Sequence, residues 1–185
     1  MTDDAEPVPM SLSMYEATVP PMSRMLGNLG ALLQKGAAHA EARRIDPAVL
    51  LQQRLFPDQF ALPRQVQVAC DTAKLAVARL TGRTAPQQDD TETSFAELQA
   101  RINATVAWIG TATAQAFTDS EARIIEIKRR DDTLKLAATE YLTRFALPNF
   151  HFHVAMAYAI LRHNGVEIGK NDYLGRFDEV AAPPR

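Results

Sequence analysis

The chain is poor in the residue types that usually mark a function. Its single cysteine, Cys70, excludes an internal disulfide and suits a reducing compartment. A surplus of one charge is missing too. Twenty Lys and Arg face 22 Asp and Glu, for a formal net charge of -2. A surface built to grip a nucleic-acid backbone or an anionic membrane needs excess cations, so neither partner is expected. No apolar run reaches the roughly 20 residues of a membrane helix. The opening MTDDAEPVP is acidic and contains proline, unlike a secretory signal, so the expected location is cytoplasmic. There is no complete phosphate loop, no HExxH pair and no zinc-finger spacing. Histidines are few, four in all, yet three of them fall in LPNFHFHVAMAYAILRHNG, Leu147 to Gly165.

What is present is helical periodicity. Residues 1–9 read as a flexible arm, 10–177 as one domain and 178–185 as a loose tail. Leu12, Tyr15, Val19, Met22, Leu26, Leu29 and Leu33 recur at steps of three and four, which predicts a long helix. Pro20 and Pro21 kink it or divide an initial turn from the main rod. Gly27, Gly30 and Gly36 weaken its intrinsic propensity and allow a neighbouring helix to come close. Asp46 and Pro47 suit the start of a short helix inside a long connection, where Leu50, Leu51, Leu55, Phe56 and Phe60 supply apolar surface to lie on a bundle. A second long helix is expected from Pro63 to Leu80, stopped by Gly82. A third opens at the capping box Ser94–Glu97 and carries Phe95, Leu98, Ile102, Val106 and Ile109 inward.

The period then changes. Ile125 and Ile127, then Leu134 and Leu136, alternate with charged residues around a polar tip, a hairpin signal. A fourth long helix is expected over about Thr139 to His163, bent or reset at Pro148. Phe145, Asn149, Phe152, Met156, Ala159 and Ile160 are assigned to its inward stripes. Four long helices, each with one apolar face, predict an all-α four-helix bundle with a long crossover and a small β-hairpin before the last long helix.

At about 100° per residue, Asn149 and His153 share a face of that last helix, and His151 points roughly 160° away. His153 is therefore the candidate centre for chemistry, as a proton carrier or a metal anchor. The competing reading is a hydrogen-bonded core histidine. On the second helix Gln65, Gln67 and Asp71 are polar among small apolar residues, and Gln67 and Asp71 stand four apart. Asp71 is expected to orient the His153 imidazole or share a divalent metal with it. Asn149 and Gln67 are expected to hold substrate or water. His39 is a secondary polar participant, and Tyr15 adds a hydroxyl. Cys70 reads as a small core residue.

The stretches MSLSMYEATVPPMSRMLGNLGALL, AHAEARRIDPAVLLQQRLFPDQFALPRQVQVACD, TETSFAELQARI, YLTRFALPNFHFHVAMAYAILRHNGV and GKNDYLG together resemble the DUF1993 family, from Met10 to Gly175. That family is related to the DinB/YfiT-like superfamily of four-helix bundles. The resemblance implies a bundle with a cleft and a homodimer. In many members of the superfamily it implies a divalent metal on one histidine of the second long helix and two histidines four apart on the last. Aligning the closing LR-x-x-G on Leu161, Arg162 and Gly165 puts the last pair at Asn149 and His153, and the second-helix position near Gln67 or Val68. Only His153 is a histidine. Two functions remain in play. One is a polar small-molecule or divalent-metal pocket centred on His153, with acid/base chemistry. The other is a non-catalytic ligand-binding or protein-interaction scaffold without metal.

Overall fold

The computed structural model describes residues 12–177. The expected arm at 1–9 and tail at 178–185 lie outside the described residues. Helix α1 (Val19–Arg43) follows a helical turn in which Val19 N–H reaches Tyr15 O at 2.9 Å. Pro20 and Pro21 occupy its first turn, where a missing N–H costs nothing, so they separate that turn from the rod. Leu12, expected to begin the stripe, is exposed.

The crossover contains α2 (Pro47–Leu51), started by Asp46 Oδ1 accepting from Ala48 N at 2.9 Å. Leu50 and Leu51 are buried as expected, but Leu55, Phe56 and Phe60 stay exposed. Helix α3 (Leu62–Thr81) ends at Gly82, whose φ of 75° is the left-handed turn that glycine adopts without strain. Helix α4 (Phe95–Gly110) carries the full Ser94–Glu97 capping box. Two 3-10 turns lead to β1 (Ile124–Lys128) and β2 (Thr133–Ala137), an antiparallel hairpin in which Ile127 pairs with Leu134.

The last rod has three parts. Helix α5 (Ala138–Glu140) passes into a π-helical stretch, Tyr141–Ala146, and then into α6 (Leu147–His163). Pro148 cannot donate to Arg144 O, and its ring would crowd that carbonyl in an α register. The wider π turn relieves that clash without breaking the rod. Helix α7 (Lys170–Leu174) then packs back on α1, with Lys35 Nζ 2.6 Å from Asp172 Oδ1.

Around the bundle the order is α1, α4, α3, α6, because α1 packs on α4, α4 on α3, α3 on α6 and α6 on α1. The first two long helices, α1 and α3, are thus diagonal neighbours, which is what the long connection containing α2 permits. Leu26, Leu29, Val66, Ala73, Val77, Leu98, Ile102 and Phe150 meet in one core. Each fully buried large apolar side chain contributes about 1.5–3 kcal/mol. On α6 the buried positions are Phe150, His153, Val154, Ala157, Ile160 and Leu161. Phe152, assigned inward from sequence, is exposed. The run FHFHVAMAYAIL is apolar on more than one face, and the π turn upstream resets its phase.

Candidate functional site

Helices α3 and α6 run antiparallel, and two polar pairs bridge them. Asn149 Nδ2 donates to Thr72 Oγ1 at 2.9 Å, and His153 Nδ1 lies 2.7 Å from Gln65 Oε1. The second pair fixes a tautomer. Gln65 Nε2 donates to Phe60 O at 3.2 Å, so its Oε1 is the acceptor and His153 Nδ1 carries the proton. The other ring nitrogen, Nε2, then bears the lone pair. It has no hydrogen-bond partner among the described residues and keeps some exposure, and His153 lines a recess at the surface.

That recess is about 180 Å³ and is lined by Asp58, Gln59, Phe60, Gln65, Phe152 and His153. Phe60 stacks on the imidazole at 6.4 Å between centroids, and Phe152 meets it edge-on at 5.2 Å. His153 is only 7% exposed. Burial, and then the positive charge of Arg64, lowers its pKa below the ordinary 6.5. A neutral imidazole with an unpaired Nε2 can accept a proton or a hydrogen bond from a molecule seated in this recess.

The other expected residues go elsewhere. Asp71 Oδ1 is 2.9 Å from an Arg101 amino group and 3.0 Å from Lys74 Nζ. Arg101 also meets Asp90 at 3.0 Å and Glu92 at 2.8 Å. Gln67 donates to Glu92 at 2.9 Å and accepts from Arg64 at 3.3 Å. Asp71 and Gln67 thus belong to a clamp that ties the link between α3 and α4 down onto both helices. His39 lines a separate recess of about 410 Å³ with Lys35, Arg43, Gly165 and Glu167. Tyr15 packs edge-on against Phe117 at 5.7 Å. The structure therefore joins His153 to Gln65 and Asn149 to Thr72, and shows no hydrogen bond from His153 to Asp71, Gln67 or His39. A signal for the true partners was present in the sequence. Gln65 and Thr72 stand seven apart, which keeps them on one face of α3.

Comparison with known proteins agrees with this fold. A family model described as a domain of unknown function, DUF1993, matches residues 14–174. The chain belongs to the DUF1993 family. A crystal structure of a DinB family member protein from Shewanella denitrificans is 45% identical, with a TM-score of 0.84, over 91% of this chain and 96% of that one. Among curated proteins none matches.

The DUF1993 chain can be tested against the three-histidine metal centre that the resemblance implies. Of the α3 candidates, Val68 offers no donor atom, and the Gln67 amide is engaged by Glu92 and Arg64. The Asn149 amide nitrogen is turned toward Thr72, whose own hydroxyl donates to Val68 O at 2.7 Å. Among the described residues no group of three or more His, Cys, Asp or Glu converges to hold a metal ion. His153 alone remains of the set, and one neutral imidazole does not make a structural or catalytic metal site. These residues do not fit that centre.

Proposed function

We propose that this DUF1993 protein binds a small organic molecule, without a metal, in the recess centred on His153. The observation that supports the reading is the Gln65–His153 pair. It holds a buried imidazole in one tautomer beside two aromatic rings, with its Nε2 left without a hydrogen-bond partner among the described residues, and burial favours the neutral form. Pockets that bind small molecules combine apolar walls with few fixed polar groups, and this recess has that composition. The chemistry it can offer is acceptance of a proton or hydrogen bond at Nε2, so its ligand has an apolar or aromatic body and an O–H or N–H donor. Phenol and indole are suitable probes.

Long-range nitrogen–proton NMR of the imidazoles tests the geometry directly. His153 should show the Nδ1–H tautomer at pH 7.5, and phenol should move its ring signals saturably. The phenol effect should vanish in His153→Ala with helix content retained by circular dichroism. An Nε2–H tautomer, or phenol binding unaltered in His153→Ala, would overturn the reading. Zinc titration supplies the rival outcome. Tight stoichiometric zinc binding that moves His153 would replace the metal-free pocket with a metal site.

A further inference from the structure

A second cleft lies along the same helix pair and involves none of the recess around His153. It is about 220 Å³ and opens between α3 and the π-helical stretch, with Arg79, Leu75, Tyr141, Phe145 and Asn149 on its walls and Ile127 of the hairpin at one side. The π register matters here. Tyr141, Phe145 and Asn149 are spaced by four, and in an α-helix each step of four drifts by about 40°. The π turn has more residues per turn, so it removes part of that drift and keeps the three side chains in one wall.

One cation of this cleft, Arg79, lacks a carboxylate partner among the described residues. Arg79 donates to Tyr141 Oη at 3.1 Å and lies 5.5 Å from the centre of that ring. Asp71 is the carboxylate at the cleft, and its charge is met by Arg101 and Lys74. Arg64, also on the wall, pairs with Asp90. Tyr141 is buried, which raises its pKa above the ordinary 10, and its oxygen accepts from Arg79. Its own O–H proton is therefore free to be donated. Asn149 uses one amide hydrogen on Thr72 and has a second to give. Beside these donors stand apolar surfaces: Leu75 is 38% exposed, and the half-buried Phe145 ring stacks on Tyr141 at 5.9 Å and 23°.

We propose that this cleft binds a small organic carboxylate with a flat or branched apolar body. The carboxylate sits on the Arg79 guanidinium and the Tyr141 hydroxyl, and the body lies against Leu75 and Phe145. A planar guanidinium suits a carboxylate because two parallel N–H groups meet its two oxygens. A volume of about 220 Å³ lies below that of typical drug-sized pockets, so the ligand is small.

Benzoate is the probe, and benzamide, which keeps the shape and lacks the charge, is the control. Titration followed by amide NMR should give saturable millimolar or tighter benzoate binding, with shifts at Leu75, Arg79, Tyr141 and Phe145. Benzamide should bind at least tenfold more weakly to the unaltered protein. Arg79→Gln should weaken benzoate at least tenfold, and Tyr141→Phe should weaken it several-fold. His153→Ala should leave benzoate affinity unchanged, which separates this cleft from the recess discussed above. Equal affinity for benzoate and benzamide would overturn the proposal. So would unchanged benzoate binding in a folded Arg79→Gln, shifts confined to other residues, or no saturation up to tens of millimolar.

Discussion

Replacing Arg101 with methionine should show that Asp71 stands in a structural clamp. The Arg101 side chain is 1% exposed and meets Asp71, Asp90 and Glu92 within 3.0 Å, as well as Asp89 O at 3.1 Å. Removing one partner of a buried ion pair costs about 3–5 kcal/mol, because the other is left as an uncompensated charge. Here the cost is reduced. Asp71 keeps Lys74, Asp90 keeps Arg64, and both carboxylates are about a third exposed. Glu92 is only 12% exposed and loses its cation, keeping one hydrogen bond from Gln67. The buried, unpartnered Arg101 Nε is also removed, which offsets a little more. The expected loss is about 2–3 kcal/mol, or a fall in Tm of roughly 4–12 °C for a chain of this size. Urea denaturation followed by circular dichroism at pH 7 measures it. The pH dependence is a second check. Burial pushes the Glu92 carboxyl up, but hydrogen bonds from Arg101 and Gln67 outweigh it and hold the pKa below the ordinary 4.5. A depressed carboxylate stabilises the fold above 4.5 and loses that contribution as pH falls through its folded value. The gap between wild type and Arg101→Met should therefore narrow below pH 4.5, and adding Glu92→Gln should recover part of it at pH 7. A loss under about 1 kcal/mol, or a gap constant down to pH 3, would refute the clamp.

Burial lowers the pKa of both His151 and His153, with Arg64 adding to the effect at His153, so NMR titration should find both below 6.5. The unfolded chain then binds more protons, and stability should be complete above pH 6.5 and fall as pH drops through the folded values, as denaturation at pH 7.5 and 5.5 would show. Gln65→Leu should leave the Nδ1–H of His153 without its acceptor and cost about 1–3 kcal/mol in urea. Gln65→Glu should raise the His153 pKa toward or above 6.5 by placing a carboxylate where the amide now stands. The glycines of α1 should separate. At Gly36 an added Cβ would stand 2.9 Å from Leu161 Cδ2 and 3.2 Å from Phe95 Cε1, so Gly36→Ala should cost about 1–2 kcal/mol net of its helix propensity. At Gly27 an added Cβ meets nothing within 4 Å, so Gly27→Ala should stabilise by about 0.5–1 kcal/mol.

Local chemistry made much of this fold legible. The Ser94–Glu97 box, the Asp46–Pro47 start, the Gly82 stop and the alternating hairpin each depend on residues within a few positions of one another, and each stands where its sequence predicts. Four amphipathic segments with one apolar face apiece leave little choice but a bundle. Rotation of one helix against another is different, because it depends on packing between residues far apart in sequence. The i,i+4 spacing of Gln67 and Asp71 is real, but that face of α3 turns to α4 and its link, while the Gln65–Thr72 face turns to α6. Likewise α6 is apolar on several sides, and the π turn before Pro148 set its phase so that Phe150 is buried and Phe152 exposed. The sequence by itself determined the four long rods, the ends marked by Asp46, Gly82 and Ser94, the hairpin, and His153 as a candidate imidazole. Only the tertiary structure decided which neighbour it meets, because hydrophobic burial is non-directional and leaves the choice of polar partner to the final angle between two rods.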